Sequence, residues 1–539
     1  MTAVAVEAAA ARAARRPLLL VFLAGYALFV LAVLPWTLVQ DSWLSFVSGR
    51  EIVQHGLPWH DQLAAWTHGA RWIDQQWLAH LVLYGLVVLG GVKLALVLHA
   101  AVMAGAMALG LRFGRLGAVS QEAVFLGGAV GAFLAPWGLQ LRAQSLAVPL
   151  FVAVLGLLAA DARRPSRRVL LVFPLLALWA NVHGTVVLGA AFAVLRGALA
   201  LRRRGFLLLA PLCVFVSPYG IALAGYYRHM LFNSTMSTYV AEWKPSLPSA
   251  ATAPFCVAAA VALWFLVRGR SRATWFERLA LAGTLVAALS AQRSIVWFGF
   301  ACVVLLPRLL GGRRTDTRSF DALWRVLACA LTLGVGALFA VTVAKPESWF
   351  LRRWPAAAAR AAVVPGASVL ADDRHSDWLM WQQPGLRGRI AYDIRFELLS
   401  RGQFERLAAF RHRTGSGWRR AEGGERVLVL DPSYQAASVR AAVAEPGARV
   451  LYRDAEIAVV LRAKAAPDGG STTAAVAPML VETDPVRHTA ANAARPQHPC
   501  LRGCHGVLHR RDVRDLRDEP AGARAPAASR VLDPARRTQ

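Results

Sequence analysis

Runs of about 17 to 25 consecutive apolar residues, each long enough to cross the hydrocarbon core of a bilayer, recur from residue 17 to residue 344. No soluble fold hides that many apolar stretches, so the chain reads as a polytopic α-helical membrane protein. The composition agrees. Of 539 residues 56% are hydrophobic and only 17% charged, against about 25% charged in a soluble domain. The formal charge of +28 invites a nucleic-acid reading, which the placement of the arginines excludes. They sit in short loops between apolar runs, where membrane topology puts them. The stretch Pro17–Trp36 is longer than the 7–15-residue apolar core of a signal peptide. It is expected to be a retained first helix, with residues 1–16 and their Arg12, Arg15 and Arg16 in the cytoplasm. Four of the six cysteines (Cys213, Cys256, Cys302 and Cys329) lie in apolar runs, so no disulfide framework is visible.

Eleven spans are predicted, near 17–39, 92–112, 122–136, 146–160, 168–181, 185–200, 205–217, 251–268, 273–290, 293–311 and 322–344. Each even span runs into a basic loop. These loops hold Arg112 and Arg115; Arg163, Arg164, Arg167 and Arg168; Arg202, Arg203 and Arg204; Arg268, Arg270 and Arg272; and Arg313, Arg314 and Arg318. The alternate loops hold few cations: Arg142, then Arg228 and Lys244, then Arg293. The positive-inside rule therefore puts the N-terminus inside and everything after residue 344 outside. An extra crossing at 76–91 would reverse that order. This segment is therefore expected to be interfacial, re-entrant or the bent start of the second span.

On this topology the ionisable residues of the apolar half gather at one face. The first outer loop, 40–76, carries Asp41 at the end of the first helix, then His60 and Asp61. "PWGLQLRAQSLA" brings Arg142 and Gln144, and "WANVHG" brings Asn181 and His183 to a helix junction. "SPYG" contributes Tyr219, "AEWKPS" contributes Glu242 and Lys244, and "SAQRSIVWF" contributes Arg293. Each has a plain alternative when taken singly. Asp41 would be a loop carboxylate, Arg142 and Arg293 snorkelling anchors, His183 a packing residue, and Glu242 a partner for Lys244 or Arg228. Taken jointly, ionisable groups collected at one face of a lipid-embedded bundle mark a site.

The same residues carry a family resemblance. "QDSWLSFVSGREIVQHGLPWHDQLAAWTHGARWIDQQWL" resembles the first outer loop of bacterial membrane glycosyltransferases of the GT-C superfamily, through Asp41, Trp43, Gly49, Gly56, Pro58, Asp61, Trp77 and Leu78. "RAQSLAVPLF", "LWANVHGTVVLG", "SPYG" and "EWKPS" match further landmarks, and the likeness extends over about 17–463. It implies a GT-C-like membrane domain over 17–344 and a small extracytoplasmic α/β domain over 345–463. It also implies transfer of a sugar from a polyprenyl-phosphate donor to an envelope glycan, lipid or protein acceptor. Asp41 takes the place of the catalytic carboxylate, with Asp61 and Glu242 as candidates for a second carboxylate or for acceptor binding. An inverting transfer needs a base for the acceptor hydroxyl and cations for the departing phosphate. Arg142 and Arg293 are the leading candidates for the latter, with His183 and Lys244 behind them. His60, Gln144, Asn181 and Tyr219 are expected to support the site.

Two features depart from the pattern. Asp41 has no acidic neighbour before Glu51, and Gln76 stands where many relatives carry an acid. The cofactor therefore stays unknown, since a divalent cation wants several oxygen ligands. A non-catalytic glycan-assembly protein, or a lipid or sugar transporter on the same scaffold, is the alternative reading. A transporter would be expected to show internal repeats, and none is visible.

In the terminal half, "ASVLADD", "RVLVLDPS" and "RVLYRDAEIAVVLR" read as short strands between helical stretches. "ADDRHSD" invites a metal site, but a polar loop after a strand is the better reading. Residues 464–539, rich in Ala, Pro and Arg, read as a disordered basic tail. Its Cys500, Cys504, His498, His505 and His509 do not fit zinc-ligand spacing.

Overall fold

The computed structural model describes residues 17–115, 119–134, 138–268, 273–310, 321–413 and 424–463. The expected tail 464–539 and the N-terminal arginines lie outside the described residues, as do Arg270, Arg272, Arg313, Arg314 and Arg318. The helices used below are α1 (Pro17–Val33), α2 (Gln40–His55), α3 (Trp77–Gly114), α4 (Gln121–Phe133), α5 (Ala143–Arg163), α6 (Val172–Val182) and α7 (Val186–Ala198). They continue as α8 (Ala222–Leu231), α9 (Ala253–Val267), α10 (Trp275–Ser290), α11 (Ile295–Leu310) and α12 (Asp321–Ala344). All eleven predicted spans are largely helical. Five helical stretches among the described residues are both long and apolar enough to cross a membrane: Pro17–Trp36, Trp77–Gly114, Ala143–Arg163, Gln292–Leu310 and Ala322–Ala344. The others are shorter. The 205–217 run, for example, is an 11-residue 3₁₀ helix interrupted by Pro211.

The bundle is built around α11, whose residues 295–309 are all buried and which packs on α3, α4, α5, α9 and α10. Small residues let the neighbours approach closely. A Cβ at Gly131 of α4 would fall 2.2 Å from Val303 Cγ2, and one at Gly110 of α3 would fall 2.8 Å from Val303 Cγ1. At the other extreme, α12 packs on α1 and leaves most of its apolar surface outside the protein. An apolar helix with one main protein neighbour among the described residues needs lipid for the rest of its surface.

The segment 76–91 is the first limb of the 38-residue α3, which breaks at Gly90 and Gly91. Gly91 has φ +72°, and the Glu347 carboxylate fills the space of a Cβ there. That carboxylate accepts a 2.7 Å hydrogen bond from the Val92 N–H, serving the unpaired amides where the helix restarts. Lys93 Nζ donates to the Val343 carbonyl at 2.9 Å, capping the end of α12. The second limb of α3 therefore begins beside the end of α12.

At the opposite end of the bundle, where the basic loops lie, charges are closed into buried ion pairs. Glu277, fully buried in the first turn of α10, accepts from Arg163 Nε at 2.7 Å and pairs with Arg308. One carboxylate thus joins α5, α10 and α11. Asp161 pairs with Arg196 at 2.9 Å and Arg204 at 2.8 Å.

Beyond α12, four strands form a sheet in the order β1-β2-β4-β3: β1 (Val369–Ala371), β2 (Val427–Leu430), β3 (Arg449–Arg453) and β4 (Ala458–Leu461). β1 and β2 run parallel, and the other pairings are antiparallel. Helices accompanying the sheet include the short Ala356–Ala361 against β3 and β4, α13 (Ser376–Gln382), α14 (Arg401–His412) and α15 (Ala436–Val443). The sheet does not stand apart from the bundle. Residues 389–391 pair with Val369, and the first loop adds to them in turn: the Ala65 N–H donates to the Ile390 carbonyl at 2.7 Å and the Trp66 N–H to the Ala391 carbonyl at 2.9 Å. Arg50 of α2 donates to the Met380 carbonyl at 2.7 Å, at the end of α13.

Arg395 ties the two parts together. Its guanidinium donates to Asp61 at 2.7 Å and to Asp393 at 3.0 Å, and lies 4.3 Å over the Trp72 ring. All three charged side chains are buried. Replacing Arg395 with Met leaves two carboxylates without their cation, a change that typically costs about 3–5 kcal/mol. Thermal unfolding of the detergent-solubilised variant should show a marked fall in midpoint, and an unchanged midpoint would show that the latch is not needed.

Candidate active site

A cavity of about 1780 Å³ lies between the bundle end opposite the basic loops and the sheet. Asp41, Arg142, Gln144, His183, Glu242, Lys244 and Arg293 all line it. Local structure explains how chain segments so far apart meet there. Val39 is extended and its N–H donates to Ser42 Oγ at 3.1 Å, starting α2 so that Asp41 falls in the first turn. A carboxylate is favoured there by the exposed amides. Ser42 Oγ then donates to the Leu141 carbonyl at 2.5 Å, and the Leu141 N–H to the Thr37 carbonyl at 2.8 Å. These two bonds place Arg142, the residue before α5, opposite Asp41.

The far wall is clipped on in the same manner. Ser246 donates through its N–H to the Leu289 carbonyl at 3.0 Å and through its hydroxyl to the Ala288 carbonyl at 2.6 Å. The Gln292 N–H donates to the Lys244 carbonyl at 3.1 Å. Glu242 and Trp243, on the short turn Ala241–Trp243, are thereby set beside Arg293.

Arg142 Nη1 lies 3.3 Å from Glu242 Oε1 and 3.9 Å from Asp41 Oδ2. Arg293 rests 4.4 Å over the Trp243 ring, and no hydrogen bond or ion pair engages its guanidinium among the described residues. Asp41 and Glu242 keep about a third of their side-chain surface open to the cavity, while protein surrounds both. Their protonation differs. Burial raises the Asp41 carboxyl above its ordinary value, because the pull of Arg142 and Arg293 does not offset desolvation and the nearby Glu242 charge. Burial also pushes Glu242 upward, but Arg142 and Arg293 outweigh it and the carboxyl ends below its ordinary value.

His183 is held well below its usual value by burial and by the Arg293 and Arg142 cations, and so is neutral. Its Nδ1 accepts from the Thr185 N–H at 3.2 Å, which leaves the proton on Nε2. The ring is therefore an N–H donor in the cavity wall, a different contribution from the cation expected of it.

Four other sequence candidates lie outside the cavity lining. Asp61 is buried, accepting from Arg395, from Thr67 Oγ1 at 2.5 Å and from the Leu63 N–H at 2.9 Å. Those contacts use it as a brace for the first loop, not as a second carboxylate of the site. His60 is exposed and pairs through its backbone with Arg71. Tyr219 donates to the Pro58 carbonyl at 2.9 Å with its ring against Trp59. Asn181 accepts from Trp77 Nε1 at 2.8 Å and donates to the Ala177 and Val216 carbonyls. It satisfies a helix junction.

The cavity also includes residues that the sequence did not single out. Trp243 is one, though its place beside Glu242 was a usable signal. His80, paired with Asp74 at 2.7 Å, is another. Arg353, from the segment before the sheet, and Arg374, Asp431 and Glu456, from the loops of the sheet, enter as well, and nothing in their local sequence announces that they share a cavity with Asp41. "ADDRHSD" proves to be a tightly bonded turn in which Asp372 accepts from His375 Nδ1 at 2.8 Å and from the Asp431 N–H at 2.6 Å. Among the described residues no group of three or more His, Cys, Asp or Glu side chains is placed to hold a metal ion.

Replacing Arg142 with Gln removes the cation between the two carboxyls, so both should hold their protons to higher pH. The carboxyl stretching bands in infrared difference spectra, assigned with Asp41→Asn and Glu242→Gln, should shift their midpoints upward. Unmoved midpoints would show that Arg142 does not govern them.

No family model matches the sequence, and no curated protein matches it. Among solved structures, that of ArnT from Cupriavidus metallidurans in the apo state superimposes with a TM-score of 0.45 at 15% identity, covering 80% of this chain and 96% of the other. ArnT from the same organism bound to undecaprenyl phosphate superimposes with a TM-score of 0.43 at 16% identity, covering 82% and 98%.

Proposed function

We propose that the chain is an integral membrane glycosyltransferase that moves a sugar from a polyprenyl-phosphate donor to an envelope glycan, lipid or protein acceptor. The observation that carries this reading is the convergence in one cavity of Asp41, Glu242, Arg142 and a stacked Arg293 with free hydrogen-bonding edges. The positive-inside rule assigns the cavity to the non-cytoplasmic face of a bacterial plasma membrane, with the N-terminus in the cytoplasm and residues 345–463 outside.

The chemistry follows from the positions. Asp41 takes the proton of the acceptor hydroxyl, and its raised affinity for that proton makes it a stronger base than an exposed carboxylate. The acceptor oxygen attacks the anomeric carbon of the sugar. The bond from that carbon to the phosphate oxygen breaks, and its electron pair leaves with the lipid phosphate. Arg293 receives the phosphate on its guanidinium edge, the geometry in which arginine binds phosphate bidentately. Trp243 supports that guanidinium from below at 4.4 Å and holds it off Glu242. Arg142 completes the positive wall, while Glu242 fixes its orientation. His183 supplies a neutral donor. The lipid chain has a path beside α8, whose Tyr226, Met230 and Leu231 line the cavity while Ile221 and Phe232 at its ends are exposed.

Two variants test this reading with polyprenyl-phosphate sugars as donors. Asp41→Asn should lower transfer by a factor of about 10² to 10⁴ while insertion and folding are kept. Wild-type turnover in Asp41→Asn would refute the role. Arg293→Ala should weaken donor binding by about 10- to 100-fold, the value of a charged hydrogen-bonded contact. Equilibrium binding of radiolabelled donor to purified protein measures it, and undiminished affinity would remove Arg293 from the phosphate site.

A further inference from the structure

One part of the cavity is built by the terminal domain, and its construction is regular. Asp373 and Arg374 follow β1, Asp431, Ser433 and Gln435 follow the parallel strand β2, and Glu456 lies in the turn between β3 and β4. The carboxyl ends of adjacent parallel strands are where open α/β sheets bind ligands, because the loops there spread apart and can be varied without disturbing the sheet. Here both loops open into the same cavity as Asp41.

The lining alternates charge. Arg374 donates to Asp431 and to Glu456, both at 2.6 Å, Arg353 lies 3.4 Å from Glu456, and Arg411 lies 3.2 Å from Asp373. These three guanidiniums already face carboxylates, so a polyanion beside them would meet acidic groups, while Arg352 lies on the Trp36 and Trp349 rings. A molecule carrying both hydroxyl donors and hydroxyl acceptors suits such a wall. Gln435 adds a second sign. It is 5% exposed, sits in the cavity wall, and its side-chain carbonyl oxygen has no hydrogen-bond partner among the described residues. A buried acceptor left unpaired is costly unless something donates to it. The half-exposed Tyr434 adds an aromatic side chain to the same lining.

We infer that the loops after β1 and β2 form a saccharide-binding subsite that receives a neutral, polyhydroxylated glycan, the acceptor of the transfer. The role as acceptor site rests on the proposed glycosyltransferase reading; the binding of a neutral glycan does not. Among the described residues, the loops after β1 and β2 offer paired charges and an unpaired amide oxygen, whereas Arg293 offers an unpaired guanidinium to the same cavity.

Saturation-transfer-difference NMR on the full-length protein in detergent tests the assignment, with maltotriose, mannotriose and an arabinan trisaccharide as neutral probes and inorganic phosphate as competitor. At least one neutral trisaccharide should bind, and phosphate should not displace it. Gln435→Leu should weaken that binding by about tenfold or more, the worth of one buried hydrogen bond. Tyr434→Ala, at a half-exposed position of the same loop, should also weaken it. Failure of all three sugars to bind, displacement by phosphate, or affinity unchanged in both variants would overturn the inference. Asp41→Asn separates the two readings. It should retain saccharide binding, so wild-type transfer by that variant would defeat the catalytic proposal and leave this subsite standing. Loss of saccharide binding in Gln435→Leu and Tyr434→Ala with donor affinity intact is the outcome expected of the subsite alone.

Discussion

Arg142 lies between two carboxylates that reach it from positions about 100 residues away on either side. That contact organises the membrane half. A guanidinium at the end of a helix in an apolar bundle needs anionic partners, and only the folded arrangement of the first loop and the 241–246 turn supplies them. The bonds of Ser42 to Leu141 and of Ser246 to Ala288 serve this end: they fix the backbone so that the charges meet. Remove the convergence and Asp41, Glu242 and Arg293 become scattered polar residues at helix ends.

The two ends of the bundle use charge differently. At the basic end Glu277 and Asp161 are each held by two arginines and closed to solvent. Such arrangements join helices and leave no capacity for a ligand. At the cavity end the pairs are looser, the carboxylates partly open, and Arg293 rests on an aromatic ring instead of an acid. Loose pairing of the carboxylates at one end and tight double pairing at the other distinguishes a site from a staple, and both are built from the same residue types. The loosely paired end also raises one carboxyl and lowers the other, which gives neighbouring acids separate duties.

The terminal sheet and the first loop form one unit. Because residues 64–66 extend the sheet and Arg395 bridges Asp61 to Asp393, the domain is anchored by the loop that carries Asp41 at its start. Its strand ends are thereby aimed into the cavity. The loops after β1 and β2 therefore open into the same cavity as Asp41.

Read alone, the sequence determined that this is a membrane bundle, because hydropathy over about 20 residues is a local property and needs no partner. It also placed Asp41, Arg142, His183, Glu242 and Arg293 at the same end, since alternation of basic loops orders the ends of successive helices. It did not determine which polar residues at that end share a cavity. Asp61 and Asn181 look as eligible as Glu242 in a loop-by-loop reading, yet Asp61 is used by Arg395 and Asn181 by a helix junction. Nor could it show that Arg374, Asp431 and Gln435 face the bundle. Those positions depend on sheet pairing between residues more than 300 apart in sequence, and on hydrogen bonds that become possible only when distant loops are brought together.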